Sequence, residues 1–91
     1  MQVNIYSIYD SKAKAYLQPW FAANNLVAFR NCERSAKQPG SPFAEFPGDF
    51  TVFKLAEFND DTGEVMPLKA HENLGTFVQF LPVVSASDKA A

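Results

Sequence analysis

Lysines and large aromatic residues lie close together near the beginning of the sequence. Lys12 and Lys14 are surrounded by five rings: Tyr6, Tyr9, Tyr16, Trp20 and Phe21. Such a mixture is typical of single-stranded nucleic-acid binding, because lysine contacts the phosphates and the bases stack on the rings. Packing of the same rings in a hydrophobic core explains the segment equally well. The segment therefore predicts either a nucleic-acid-binding surface or a part of the core.

Three further cations, Arg30, Arg34 and Lys37, recur at the spacing of one helix face. They could contact phosphates along that face, and Lys54 could do so from a strand. The alternative is a solvated helix face on which these cations pair with Glu33 and other acids, which is the more common arrangement.

Asp61-Thr62-Gly63 matches the short signature of aspartic proteases, and a chain of this length could be half of a dimeric protease. That chemistry requires two carboxylates that share one proton in an apolar environment. Here the tripeptide follows Asn59 and Asp60 and precedes Glu64, and no apolar strand leads directly into it. A solvated hairpin turn therefore explains the tripeptide better.

Other groups that enzymes use are scarce. Cys32 is the only cysteine and has no histidine at helical spacing, so we expect it to pack as a small apolar residue. His71 is the only histidine, and we expect it at the surface because no metal-ligating partner lies at a useful spacing. We therefore expect a protein that is not an enzyme and that uses no cofactor and no metal ion.

Length and composition limit the remaining classes. The 91 residues are enough for one domain with a modest core. The net charge of −2 excludes a global basic field, so any nucleic-acid site must be local. A single cysteine is typical of the reducing cytoplasm, and no apolar run is long enough to predict a membrane span.

The strongest structural pattern is Phe50–Leu68, which predicts a β-hairpin around an acidic turn with Gly63 at its positive-φ position. Alternation divides the first strand into two faces, with Phe50, Val52, Ala56 and Phe58 on one and Phe53 and Leu55 on the other. Pro67 lacks a hydrogen-bond donor, so the returning strand is expected to lie at a sheet edge or to end there.

The remaining segments predict one main helix and further strands. The helix is expected to begin at Asn24 or Asn25 and to continue to about residue 37, and one further helical turn is expected over Pro42–Phe46. Alternation predicts a first strand over residues 2–9 and a last strand over Leu74–Leu81.

Pro19 interrupts the aromatic segment Tyr16–Phe21, which therefore predicts a short edge strand or an ordered loop. Together these elements predict an α+β fold: a small antiparallel sheet of four to five strands with one main helix packed on it. A single domain is expected over residues 1–84, followed by a flexible tail over residues 85–91.

Several segments, in their order and spacing over about residues 2–68, resemble a known family. They are Val3–Ile8 with Asp10–Ala13, Tyr16–Ala22, Asn24 or Asn25 with Arg30, and Asp49–Phe50 with Phe53–Gly63. The pattern resembles the small nonstructural DNA-binding proteins of gokushoviruses, which are single-stranded DNA phages of the microvirus group.

The resemblance implies a protein that binds single-stranded viral DNA in the host cytoplasm, without catalysis, where genome synthesis passes to packaging. The contact residues come from the physical arguments above. Phosphate contacts are predicted for Lys12, Lys14, Arg30, Arg34 and Lys54. Stacking on bases is predicted for Tyr6, Tyr16, Trp20 and Phe53. Because strand side chains alternate, Phe53 and Lys54 are expected on opposite faces.

A protein-interaction module is the alternative function. The acidic balance weakens the attraction to DNA, and the rings around Trp20 could instead bind a viral replication or capsid protein, or a host factor. The surplus of aromatic side chains also predicts a homodimer.

Overall fold

An antiparallel β-sheet organises the molecule. The computed structural model describes residues 1–80, and within them the sheet has five strands: β1 Gln2–Asp10, β2 Ala15–Tyr16, β3 Trp20–Ala22, β4 Phe50–Asn59 and β5 Val65–Thr76. The strand order is β2-β1-β4-β5, and β3 also pairs with β1. Because β4 pairs along the whole of β1, β2 and β3 share the other side of that strand. The predicted antiparallel sheet of four to five strands is confirmed.

The first two helices begin where the sequence predicts, and the third was not predicted. They are α1 Asn25–Ala36, α2 Pro42–Glu45 and α3 Phe77–Phe80. The side chain of Asn24 caps α1 by accepting a hydrogen bond from the backbone N–H of Val27 at 3.0 Å. Ser41 caps α2 by accepting one from the backbone N–H of Phe43 at 3.2 Å. None of the helices within residues 1–80 is long and apolar enough to cross a membrane.

Helix α1 packs on one face of the sheet. The residues that it buries are small: Ala28, Cys32 and Ala36. Small side chains let the helix approach the sheet closely, and Ile8 and Val52 pack with Cys32 in the main core cluster. Burial raises the pKa of the Cys32 thiol to about 12, so this cysteine is the inert, buried side chain that the sequence predicts.

A β-bulge in β4 changes which residues share a face. Ile5 pairs with Ala56 and Tyr6 pairs with Lys54, so Leu55 is an extra residue on the β4 side. Phe50 and Val52 therefore face α1, whereas Ala56 and Phe58 lie on the opposite face. The sequence-based prediction that these four residues share one face is wrong, because period-two alternation does not continue through a bulge.

The returning strand is longer than the sequence predicts. β5 continues through Pro67, which pairs with Ala56, and ends only at Thr76. The predicted edge position of Pro67 is confirmed, because β5 has β4 as its neighbour and no strand beyond it in the described sheet.

The separate last strand predicted over Leu74–Leu81 is wrong within the described residues. Gly75 has a φ of 112°, and the chain turns there into α3, whose Phe77 is fully buried and stacks on Phe43 with a centroid distance of 4.5 Å. Burial of that ring stabilises a turn where alternation predicts an extended strand. Leu81, the predicted boundary at residue 84 and the predicted tail lie outside the described residues.

Tyr6 joins the sheet to the beginning of α1. Its hydroxyl donates a hydrogen bond to Asn25 Oδ1 at 2.6 Å and accepts one from Asn4 Nδ2 at 2.9 Å. Burial raises the pKa of the Tyr6 phenol, which keeps the hydroxyl neutral and able to donate. This residue therefore holds the helix in register with β1.

Replacing Tyr6 with Phe is expected to lower the free energy of unfolding by about 1 kcal/mol, because Asn4 and Asn25 each lose a hydrogen-bond partner in a partly buried site. Tyr9→Phe makes the same change on the opposite face of β1 and serves as the control. It is expected to change the free energy of unfolding by less than about 0.5 kcal/mol. Urea denaturation measures both. Equal stabilities of the two variants would contradict this role of Tyr6.

Candidate nucleic-acid interface

The sheet has a second face, which we call the open face: the face directed away from α1. In β1, Asn4, Tyr6 and Ile8 belong to the side of the helix, since Tyr6 bonds to Asn25 and Ile8 packs with the helix. Alternation puts Val3, Ile5, Ser7 and Tyr9 on the open face. The core clusters that contain helical residues all lie on the other side. The open face is therefore the surface of the sheet on which a ligand could lie flat.

Four rings from four strands converge on the open face around Tyr16, and we call them the aromatic row: Tyr16 of β2, Tyr9 of β1, Phe53 of β4 and His71 of β5. The ring centroids are 4.9 Å apart for Tyr9 and Tyr16 and 5.8 Å apart for Tyr16 and Phe53. His71 lies 5.7 Å from Tyr16 and 6.3 Å from Phe53. Each neighbouring pair is tilted or edge-to-face, the arrangement that aromatic quadrupoles favour.

Parts of the aromatic row are accessible to solvent. Tyr16 is 45% exposed, His71 is exposed, and Tyr9 and Phe53 are half-buried. The Tyr16 hydroxyl lies 3.3 Å from His71 Nδ1, so side chains from the two outer strands meet over β1 and β4. The exposed parts of Tyr16 and His71 can offer ring surface to flat ligands.

Two of the predicted lysines lie in the turn that precedes Tyr16 of the aromatic row. Lys12 and Lys14 are exposed in the turn that joins β1 to β2, and Tyr16 follows Lys14 by two residues. The Asp10 carboxylate accepts hydrogen bonds from the backbone N–H groups of Lys12 and Ala13 at 2.9 and 3.2 Å, which fixes the turn. Lys14 has a φ of 56°, in the left-handed region. Lys12 lines a cavity with Phe46, Asp49 and Phe50 on the helix side of the sheet, whereas Lys14 is the lysine nearer in the chain to Tyr16.

The other end of the open face is apolar and borders acidic groups. Phe21 is 56% exposed and contacts Phe58 edge-to-face with a centroid distance of 5.4 Å. Phe58 pairs with Val65, which is 55% exposed. We call these three residues the apolar end. The turn from β4 to β5 follows Phe58 directly and carries the acidic side chains of Asp60, Asp61 and Glu64.

The structure separates Tyr6 and Trp20 from the aromatic row. Tyr6 is fully buried under α1, so its ring cannot stack on a base in this conformation. Trp20 lies on the helix side as well, where its ring packs on Tyr6 and its Nε1 donates a hydrogen bond to Asn31 Oδ1 at 3.1 Å. Both rings therefore pack in the core, which is one of the two arrangements that the sequence predicts, although Trp20 keeps part of its surface exposed.

Three of the predicted phosphate contacts also lie away from the open face. Arg30 and Arg34 are exposed on α1, in the helical layer. Lys54 pairs with Tyr6 in the sheet and therefore lies on the helix side, where its Nζ bonds to Glu57 Oε2 at 3.1 Å. Phe53 is on the open face, so the prediction that Phe53 and Lys54 point to opposite sides is confirmed.

Two members of the aromatic row are missing from the sequence-based site. By alternation, Tyr9 lies on the same face of β1 as Ser7. It can be assigned to the open face once the face that α1 covers is known. His71 could not be found, because β5 contains several unpaired residues between Pro67 and Glu72 that break the alternation. Sequence patterns thus identify single strands better than they identify which strands meet.

The groups considered for catalysis remain apart. Asp61 is 80% exposed, and Asn59 Oδ1 accepts hydrogen bonds from the backbone N–H groups of Asp61 and Thr62. This is the geometry of a solvated hairpin turn. Within residues 1–80, no group of three or more His, Cys, Asp or Glu residues is arranged to hold a metal ion.

Comparisons with known proteins identify the family. No curated protein and no solved structure matches the chain. A family model described as Phage ORF5 protein matches residues 3–80, which is most of the chain and includes every element of the sheet. The chain therefore belongs to the Phage ORF5 protein family and is a bacteriophage protein.

Proposed function

We propose that this phage protein binds single-stranded DNA, with little sequence preference, through the open face of its sheet. The observation that carries the proposal is the aromatic row, which lies on the sheet face opposite α1 and includes Tyr16, directly after the turn that carries the exposed Lys12 and Lys14. Rings accept any base by stacking, and lysines neutralise phosphates, so this combination needs no base-specific contact. The proposed activity involves no catalysis and no cofactor.

The geometry favours a single strand over a duplex. Stacking on Tyr16 or Phe53 requires the face of an unpaired base, which is hidden in a double helix. A flat sheet face also lacks a projecting helix or ribbon that could enter the major groove. Unpaired bases are therefore the part of DNA that the aromatic row fits.

Charge favours one end of the open face for DNA. Lys12 and Lys14 lie in the turn before Tyr16, where Asp10 and Asp49 line a cavity with Lys12, whereas Asp60, Asp61 and Glu64 border the apolar end. The two regions are about four residues apart along β1, from Tyr9 to Ile5, which corresponds to roughly 13 Å. Phosphates are attracted to the first region and repelled from the second, so the strand is proposed to cross the sheet at the aromatic row.

We further propose that binding serves the passage from genome synthesis to packaging in the host cytoplasm. A protein that covers the unpaired bases of a single-stranded genome prevents their use as a template for a complementary strand. The resemblance to gokushovirus DNA-binding proteins supports this role, as does membership of a phage family.

A protein-interaction module is the second candidate function, and the apolar end favours it. Phe21 and Val65 are exposed beside three acidic side chains, a combination that fits a partner surface with apolar and basic residues. A viral replication or capsid protein could provide such a surface. Under this candidate, Phe21→Ser abolishes a nuclease-resistant pull-down of that partner, while Tyr16→Ala leaves it intact.

Replacing Tyr16 with Ala is expected to weaken binding of a labelled oligo(dT) by about tenfold, because one stacked base loses its platform. Leu26→Ala is the control, since Leu26 is also a large, exposed hydrophobic residue, with 59% of its surface accessible, but it lies on α1. Fluorescence anisotropy measures both affinities, with a duplex of the same length in parallel. Absence of binding by the unaltered protein at low salt, or equal affinities of the two variants, would contradict the proposal.

The charged residues are tested by the salt dependence of the same affinity. The slope of log K against log salt is expected to become shallower by about 1.4 in Lys12→Gln/Lys14→Gln, because two phosphate contacts are lost. Arg30→Gln/Arg34→Gln changes the net charge equally, on the helical layer, and is expected to leave the slope unchanged. A larger change of this slope in the arginine variant than in the lysine variant would indicate that DNA binds at α1 and would contradict the proposal.

A further inference from the structure

A cavity of about 320 Å³ opens at one edge of the sheet, between α1 and the segment that joins β2 to β3. The segment contributes Leu17 and Gln18 to its lining, and β1 contributes Ile8. Ligand pockets in proteins range from about 300 to 1,000 Å³, so this cavity has the size for one small flat group. A folded peptide element would not fit in it.

Aromatic side chains and a few polar groups line the cavity. Trp20 and Phe43 supply ring surfaces, and Asn31 and Ser35 of α1 supply an amide and a hydroxyl. Asn31 Oδ1 already accepts a hydrogen bond from Trp20 Nε1, which orients both side chains and leaves the amide N–H groups of Asn31 as donors. Flat rings combined with hydrogen-bonding side-chain groups are what unpaired bases find in proteins that recognise single strands.

The cavity and the aromatic row lie on opposite faces of the sheet and come closest in the chain at the edge strand β2. Tyr16 belongs to the row, and the next residue, Leu17, lines the cavity. The position of Leu17 is fixed because its backbone N–H donates to the Ile8 carbonyl at 2.8 Å and its carbonyl accepts from Ser7 Oγ at 2.6 Å. A DNA strand that leaves the row over Tyr16 would reach the cavity by passing around the sheet edge at Leu17.

We propose that the cavity binds one unpaired nucleobase of the single strand that lies on the aromatic row. This inference rests on the proposed function and adds a second kind of contact to it, in which the base leaves the open face and enters the helix side of the sheet. A base in a duplex cannot enter without breaking its pair, so the cavity increases the preference for single strands.

Trp20 is the only tryptophan and reports directly on the cavity. The test follows its intrinsic fluorescence during titration with unlabelled oligo(dT), beside the anisotropy of labelled oligo(dT). The fluorescence is expected to be quenched saturably, with the same midpoint as the anisotropy. Saturable anisotropy with unchanged Trp20 fluorescence would overturn the cavity and leave the proposed function standing, whereas no anisotropy change would overturn both.

A filling variant separates base insertion from a nearby contact. Ser35 is exposed on α1 and lines the cavity, so Ser35→Phe is expected to occupy it, to abolish the quenching and to weaken binding about fivefold. Leu26→Phe adds a similar ring to the same helix outside the cavity and is expected to preserve both signals. Equal quenching in the two variants would overturn the proposal. Thermal denaturation of both variants verifies that each is folded.

Discussion

The close packing of α1 on one face of the sheet is the contact on which the rest of the structure depends. Ala28, Cys32 and Ala36 are small enough to let the helix lie directly on β1 and β4, and the capping side chain of Asn24 sets where the helix begins. Because the core clusters with helical residues form on this side, no helix within residues 1–80 buries the large rings of the opposite side. They pack against one another instead, and the aromatic row is the result.

The same arrangement explains how an acidic protein could attract DNA. Its net charge is −2, but the charges are not spread evenly over the open face. Lys12 and Lys14 lie in a turn fixed by Asp10, whereas Asp60, Asp61 and Glu64 are at the far hairpin. Charges in water interact over about a Debye length, roughly 8 Å at physiological salt, so the acids at the hairpin weaken the field at the lysines only slightly. The local distribution of charge therefore matters more here than the total.

Local signals in the sequence predicted the local structure well. Asn24 and Ser41 marked helix starts, and alternation marked β1 and β4, because caps and pleats depend on residues close in the chain. The register was not predictable, since the bulge at Leu55 and the irregular pairing of β5 depend on contacts across the sheet. Phe77 shows the same limit: its burial against Phe43 ends β5 where alternation alone predicts that a strand continues.

The candidate site was predictable only in part, for the same reason. Tyr16 and Phe53 lie on the open face and Lys12 and Lys14 in the exposed turn before Tyr16, while Tyr6, whose residue type is equally suitable for stacking, belongs to the core. Nothing in the residue type distinguishes Tyr6 from Tyr9; only the side of the sheet that α1 covers does so. His71 joins the row through the irregular part of β5, which no period in the sequence reveals.

Chemical-shift mapping of the ¹⁵N-labelled protein with single-stranded oligo(dT) tests the central claim most directly, because it locates the DNA on one layer of the molecule. The account predicts that the largest amide shifts cluster at Tyr9, Tyr16, Phe53 and His71 and in the turn that carries Lys12 and Lys14. Shifts concentrated around Arg30 and Arg34 on α1, or no shifts at all, would contradict it.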